Sequence, residues 1–152
     1  VKLNCGGEEL PGWDGGIWCG DAFFTGGSRA RSTVEVSASA DSEVYTTYRR
    51  FSDRGSGSNG YRMPLPPGRY RVTFHFAECC FLRSGRRTFG FIIYEDERLP
   101  RYTLEPFQFA TAHKRIFEPV IVEDGFLDVN FVHLRGCPMV GGIEVEALAD
   151  RP

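Results

Sequence analysis

Along the chain, apolar and polar residues alternate at period two, and the three-to-four spacing of an amphipathic helix with caps is not found over ten or more residues. The clearest stretch is 69–78, RYRVTFHFAE. Tyr70, Val72, Phe74 and Phe76 fall on one face, and Arg71, Thr73, His75 and Ala77 on the other. That is the pattern of an antiparallel strand with one face in a core. Residues 126–134 repeat it, with Leu127, Val129 and Phe131 opposite Asp128 and Asn130. Further short segments rich in β-branched and aromatic residues predict strands at 1–5, 32–37, 44–50, 60–65, 87–94, 116–122 and 141–148. PLPPG (64–68) reverses the chain, EDG (123–125) reads as a hairpin turn between 116–122 and 126–134, and ECCFLRSGRR (78–87) reads as a hairpin loop between two apolar strands. About nine such strands are too many for one open sheet of this size, which predicts an all-β chain folded as an antiparallel β-sandwich or jelly roll, with long loops gathered at one end.

Composition narrows the picture. A chain of 152 residues buries one core of ordinary size, so a single domain over 1–152 is expected, read as a module of a larger polypeptide. Eighteen basic against twenty acidic residues leave a net charge of -2 and no basic excess for a phosphate backbone, so nucleic acid is not an expected partner. No apolar stretch approaches the roughly 20 residues of a membrane-spanning helix, and the N-terminal VKLNCGG does not read as a signal peptide, so membrane insertion is not expected either. The cysteines are Cys5, Cys19, Cys79, Cys80 and Cys137, an odd number with one adjacent pair. A bridge between neighbours is strained. With no N-x-S/T sequon present, the cysteine usage leans towards a reducing, intracellular setting.

Two excursions interrupt the strands. RGSGSNG (54–60) offers no side chains with which to grip a ligand. GGEELPGWDGGIWCGDAFFTGG (6–27) is Gly-rich yet carries Trp13, Trp18, Phe23 and Phe24, rings that either close the core or form a ligand platform. Glu78, at the start of the 78–87 loop, most simply anchors it by accepting backbone N–H bonds. His75, His113 and His133 are far apart and, on strands, read as satisfied structural residues. No marked pair of carboxylates, Gly-x-Ser-x-Gly, phosphate loop or metal cluster appears, so neither catalysis nor a cofactor is expected.

Taken together, LNCGG (3–7), YTTYRRF (45–51), GYRMPLPPGRYRV followed by HFAE (60–78), RTFGF, EDGFLDVNF and the closing GGIEV resemble, in order, the malectin and malectin-like family. The resemblance implies a jelly-roll sandwich and a non-catalytic carbohydrate-binding module for neutral oligosaccharides, glucose-containing ones among them. The alternative is a protein-interaction module of an intracellular, for example kinesin-like, protein. Carried over by position, the family's sugar-facing residues fall on Phe23, Tyr45, Cys80, Phe81 and Gly136. Cys80 stands where the family has a ring and Gly136 where it has an aspartate, and Asp14 or Asp21 are the substitutes for that carboxylate.

Overall fold

A computed structural model of the chain describes residues 1–51, 59–80, 88–93, 96–102 and 109–149; over 88–93, 96–102 and at Leu134 it describes the backbone alone. In chain order the elements are β1 (Lys2–Asn4), β2 (Leu10–Pro11), β3 (Ile17–Trp18), β4 (Phe24–Thr25), β5 (Ser28–Arg31), a 3₁₀ turn (Ser42–Tyr45), β6 (Thr47–Arg50) and β7 (Gly60–Pro64). There follow β8 (Gly68–Phe76), β9 (Thr88–Ile93), β10 (Asp96–Tyr102), β11 (His113–Val122), β12 (Phe126–Arg135), β13 (Met139–Val140) and β14 (Gly142–Ala147). They form a four-stranded sheet in the order β1-β14-β8-β11, a five-stranded sheet β10-β9-β12-β7-β4, a three-stranded sheet β13-β6-β5 and the small hairpin β2-β3. The expected antiparallel sandwich is what the chain builds.

The core lies between the two large sheets. Tyr70, Val72, Phe74 and Phe76 of β8 face Met63 of β7 and Leu127, Val129 and Phe131 of β12, all buried. Phe74 and Phe131 meet edge to face with centroids 6.2 Å apart, joining one sheet to the other. The polar face of β8 does not stay open. Arg71 is half-buried and pairs with Glu118 and Glu146, but Thr73 and His75 are buried. What packs on His75 is a second apolar cluster of Trp18, Val36, Val44, Tyr45 and Ala77 on the outer face of the four-stranded sheet.

Several connections differ from the sequence reading. EDG (123–125) is not a hairpin turn, because β11 pairs with β8 whereas β12 pairs with β7 and β9; the turn carries the chain from one sheet to the other. The 78–87 connection likewise joins β8 and β9 of different sheets, its residues 81–87 lying outside the described ones. Segment 32–37 is not a strand. The Ser32 hydroxyl donates to the Val34 carbonyl and accepts from the Val34 N–H, a local turn that competes with a ladder, and only Ser37 forms a bridge, to Thr111. Most of 54–60 lies outside the described residues.

Candidate functional site

The β2–β3 hairpin, PGWDGG at its tip, rises beside the outer face of the four-stranded sheet. Its turn is closed by Gly12 N–H to Gly16 O at 2.8 Å, with Gly15 in the left-handed region at φ 81° and Asp14 Oδ1 accepting the Gly16 N–H at 3.0 Å. Base and tip have different fates. Trp18 packs against Gly142 of β14 and is 1% exposed; a Cβ added at Gly142 would sit 2.7 Å from Val44 and 3.0 Å from the Trp18 ring. Trp13 at the tip is 73% exposed. Asp41 ties the two together, accepting the Trp13 backbone N–H at 2.8 Å and the Trp18 indole N–H at 3.2 Å.

Beneath the hairpin is a hollow of about 310 Å³. Its floor is His75 of β8 beside Glu144 of β14. Lys2 and Lys114 stand on the flanking strands, and Trp13, Asp14, Ser39 and Asp41 form the walls. A second hollow of about 290 Å³, lined by Pro11, Ser42 and Glu43 among others, shares Trp13, Ala40 and Asp41 with the first, so the two adjoin along these residues. A larger hollow of about 550 Å³, between residues 6–10 and β5–β6, has no aromatic lining.

The floor is a chain of bonded polar groups. Glu144 Oε2 lies 2.6 Å from His75 Nε2, and the Tyr45 hydroxyl lies 2.8 Å from His75 Nδ1. An ionised carboxylate only accepts, so Nε2 donates to Glu144, and the Tyr45 hydroxyl is the partner of Nδ1. Both imidazole nitrogens are therefore occupied, as expected of a structural histidine. Lys2 Nζ reaches Asp14 Oδ2 at 2.8 Å and Glu144 Oε1 at 3.6 Å. The His75 bond, aided by Lys2 and Lys114, holds the Glu144 carboxyl below the usual carboxylate range, and the Lys2 bond does the same for Asp14. Burial pushes the Tyr45 hydroxyl up. A glycosidase acid requires the opposite, a carboxyl kept protonated near neutral pH. What this arrangement offers instead is a flat ring for the C–H face of a sugar, with fixed acceptors and ammonium donors for its hydroxyls.

Of the five positions carried over from the family resemblance, the four that are described, Phe23, Tyr45, Cys80 and Gly136, line none of the three hollows. Tyr45 is corrected from an open sugar-facing ring to a core residue, 2% exposed, because the 3₁₀ turn aims it down onto His75. Phe23 is 47% exposed with φ 64°, at the turn entering β4. Cys80 is exposed with Sγ 3.5 Å from the Tyr48 hydroxyl, Gly136 occupies a left-handed position at φ 66° after β12, and Phe81 lies outside the described residues. Of the two substitute carboxylates, Asp14 lines the hollow. Asp21 does not: its side chain is fully buried, accepting from Arg49 Nε at 2.8 Å and from the Tyr61 hydroxyl at 2.9 Å. Glu78 is buried and accepts the Cys80 N–H at 3.3 Å, the anchoring role expected of it. Lys2, His75 and Glu144 were not legible as a group, since only the registers Lys2↔Glu144 and Gly142↔His75 set them side by side.

With this geometry in place, the comparison with known proteins is decisive for family. A malectin domain model matches residues 1–143. The chain belongs to the malectin family. Among solved structures, this malectin domain is similar to part of a Bacteroides uniformis β-glucuronidase, with TM-score 0.83 and 19% identity, covering 98% of this chain and 18% of that one. It is also similar to the ANX1 ectodomain from Arabidopsis thaliana, with TM-score 0.82 and 12% identity over 95% of this chain and 47% of that one. A structure of the plant peptide RALF23 in complex with FER and LLG2 matches with TM-score 0.81 and 13% identity, over 95% of this chain and 47% of that one. A search of curated proteins finds no match. The chain thus spans less than half of each of these structures, and at such identities the likeness shows the fold. The lean towards an intracellular setting is overturned: the fold recurs in ectodomains, ANX1 and the ANXUR1 extracellular domain among them, so unbridged cysteines are no guide to compartment here. All five cysteines lie among the described residues, and none is in a disulfide.

Proposed function

We propose that the malectin domain is a non-catalytic carbohydrate-binding module and that its sugar sits in the two-lobed hollow astride Trp13. The observation that carries this reading is the indole itself, 73% exposed on a hairpin held by Lys2–Asp14 and Asp41, with carboxylate and ammonium groups within the same hollow. A neutral saccharide fits such a lining, because each hydroxyl both donates and accepts, and the hollow supplies acceptor-only and donor-only groups together. The two carboxylates held low, Glu144 and Asp14, support binding over hydrolysis. A protein partner is the second reading. Ile17 on the same hairpin is 57% exposed, and a neighbour of the same fold is seen with a peptide.

A glycan array followed by titration with α-linked glucose disaccharides tests the proposal. Saturable binding by the wild type, lost in Trp13→Ala with the melting curve unchanged and with the saccharide recovered intact, is the expected result. Silence across the array, or binding indifferent to Trp13, overturns it in favour of a protein partner.

A further inference from the structure

Cys79 and Cys80 are consecutive and unbridged, just past the end of β8 and outside the strand ladders. They have different surroundings. Cys79 is half-buried and packs against the Trp18–Tyr45–Ala77 cluster, whereas Cys80 is exposed, its sulfur beside the Tyr48 hydroxyl and its N–H on Glu78. An oxidant arriving from solvent meets Cys80 first, and a second thiol stands one residue away. Because neither cysteine belongs to a strand, the peptide between them turns without breaking a sheet register.

We infer that Cys79 and Cys80 form a reversible thiol–disulfide switch whose closure is felt in the Trp18–Tyr45 cluster beneath the hollow. The oxidant is a low-molecular-weight disulfide such as oxidised glutathione. The Cys80 thiolate attacks one of its sulfurs, forming a mixed disulfide and releasing one thiolate; the Cys79 thiolate then attacks Cys80 Sγ, closing the ring and releasing the second. Two electrons pass from the cysteine sulfurs to the oxidant, and the two thiol protons leave with the two small thiols formed. A bridge between neighbours is strained, and strained, exposed bridges are the ones readily reduced, which makes this pair a switch and not a permanent staple. Closing the ring draws Cys79 off the cluster or Cys80 off Tyr48. The cluster holds Trp18 and Tyr45, both in edge contact with His75 on the floor of the hollow, at 5.2 and 5.7 Å between centroids. Any consequence for saccharide binding rests on the function proposed above; the bridge and its effect on the cluster do not.

The test uses the full chain in a Trp13→Phe background, where Trp18 is the sole indole. The protein is incubated with oxidised glutathione, capped with N-ethylmaleimide and weighed intact and as peptides, with Trp18 emission recorded in parallel. Expected are a mass lower by two hydrogens, two fewer capped thiols, both on the peptide holding 79 and 80, and a shifted emission, all reversed by reduced glutathione. Cys79→Ser should instead accumulate a glutathione adduct on Cys80, and Cys80→Ser should show neither product at residue 79. The inference is overturned if the unsubstituted pair retains the adduct on Cys80, if Cys80 joins Cys137, or if the ring closes with Trp18 emission unmoved. Disaccharide titration of both redox forms of the chain with Trp13 intact separates the two proposals: binding by neither form counts against the lectin reading and leaves the switch to be judged by mass and emission.

Discussion

Trp13 and Trp18 share a hairpin and have opposite roles, which makes them a paired test at the scale of single residues. Trp13→Ala removes a largely exposed ring, so its melting temperature should match the wild type within about a degree while disaccharide affinity falls tenfold or more, about 1.4 kcal/mol. Trp18→Ala empties a buried site against Gly142 and His75 and should cost about 3–5 kcal/mol in urea titrations. Both are Trp in a Gly-rich stretch, so the sequence leaves open which ring closes the core; only the position of Gly142 on the neighbouring strand decides it. Glu144 gives a pH signature. Its folded carboxyl titrates below the ordinary value of about 4.3, so its bond to His75 stabilises the fold above that pH and is lost as pH falls through the lowered value. Glu144→Gln should therefore melt below the wild type at pH 7, with the gap closing as both are taken to more acid solution. A constant gap across pH would remove the carboxylate's charge from the account.

At the scale of elements, alternation along 69–78 and 126–134 predicts β8 and β12 because each presents a continuous apolar face to one core. The short strands β2, β3, β4, β5 and β13 leave no such trace: two to four residues hold at most two on a face, and outside the local β2–β3 hairpin their pairing partners lie elsewhere along the chain. Partners fail for the same reason at EDG, where a short turn looks alike whether it folds a strand back on itself or carries it to a facing sheet. Tyr45 differs for another reason, since a matching position fixes a place on the chain and not a side chain's exposure: it keeps the residue type and points inwards. The loop from Gly20 to Gly27 is set by a buried ion pair, Asp21 to Arg49, with Tyr61 on the second carboxylate oxygen and the Arg49 guanidinium 3.5 Å over the Phe24 ring. Asp21→Asn leaves that guanidinium buried without its countercharge and should lower stability by about 3–5 kcal/mol in chemical denaturation. A change below 1 kcal/mol would mean that the arginine finds water.

For the whole molecule, the open question is whether the hollow's cluster stands or falls with the inter-sheet core. The two lie on opposite faces of the four-stranded sheet, back to back through β8, where Phe74 faces Phe131 and the adjacent His75 faces Trp18 and Tyr45. A strand cannot lose one face's packing and keep the other's geometry, because successive side chains share one backbone. Phe74→Ala, far from Trp13 and on the face away from the hollow, should therefore cost about 3–5 kcal/mol and shift unfolding followed by Trp18 emission and by far-ultraviolet circular dichroism to the same lower urea concentration. Coincident curves make the hollow part of one cooperative unit whose shape is set by the sandwich beneath it. If Trp18 emission changes at its own midpoint, the hairpin and 3₁₀ turn are a separately stable cap, and the hollow's geometry owes little to the core.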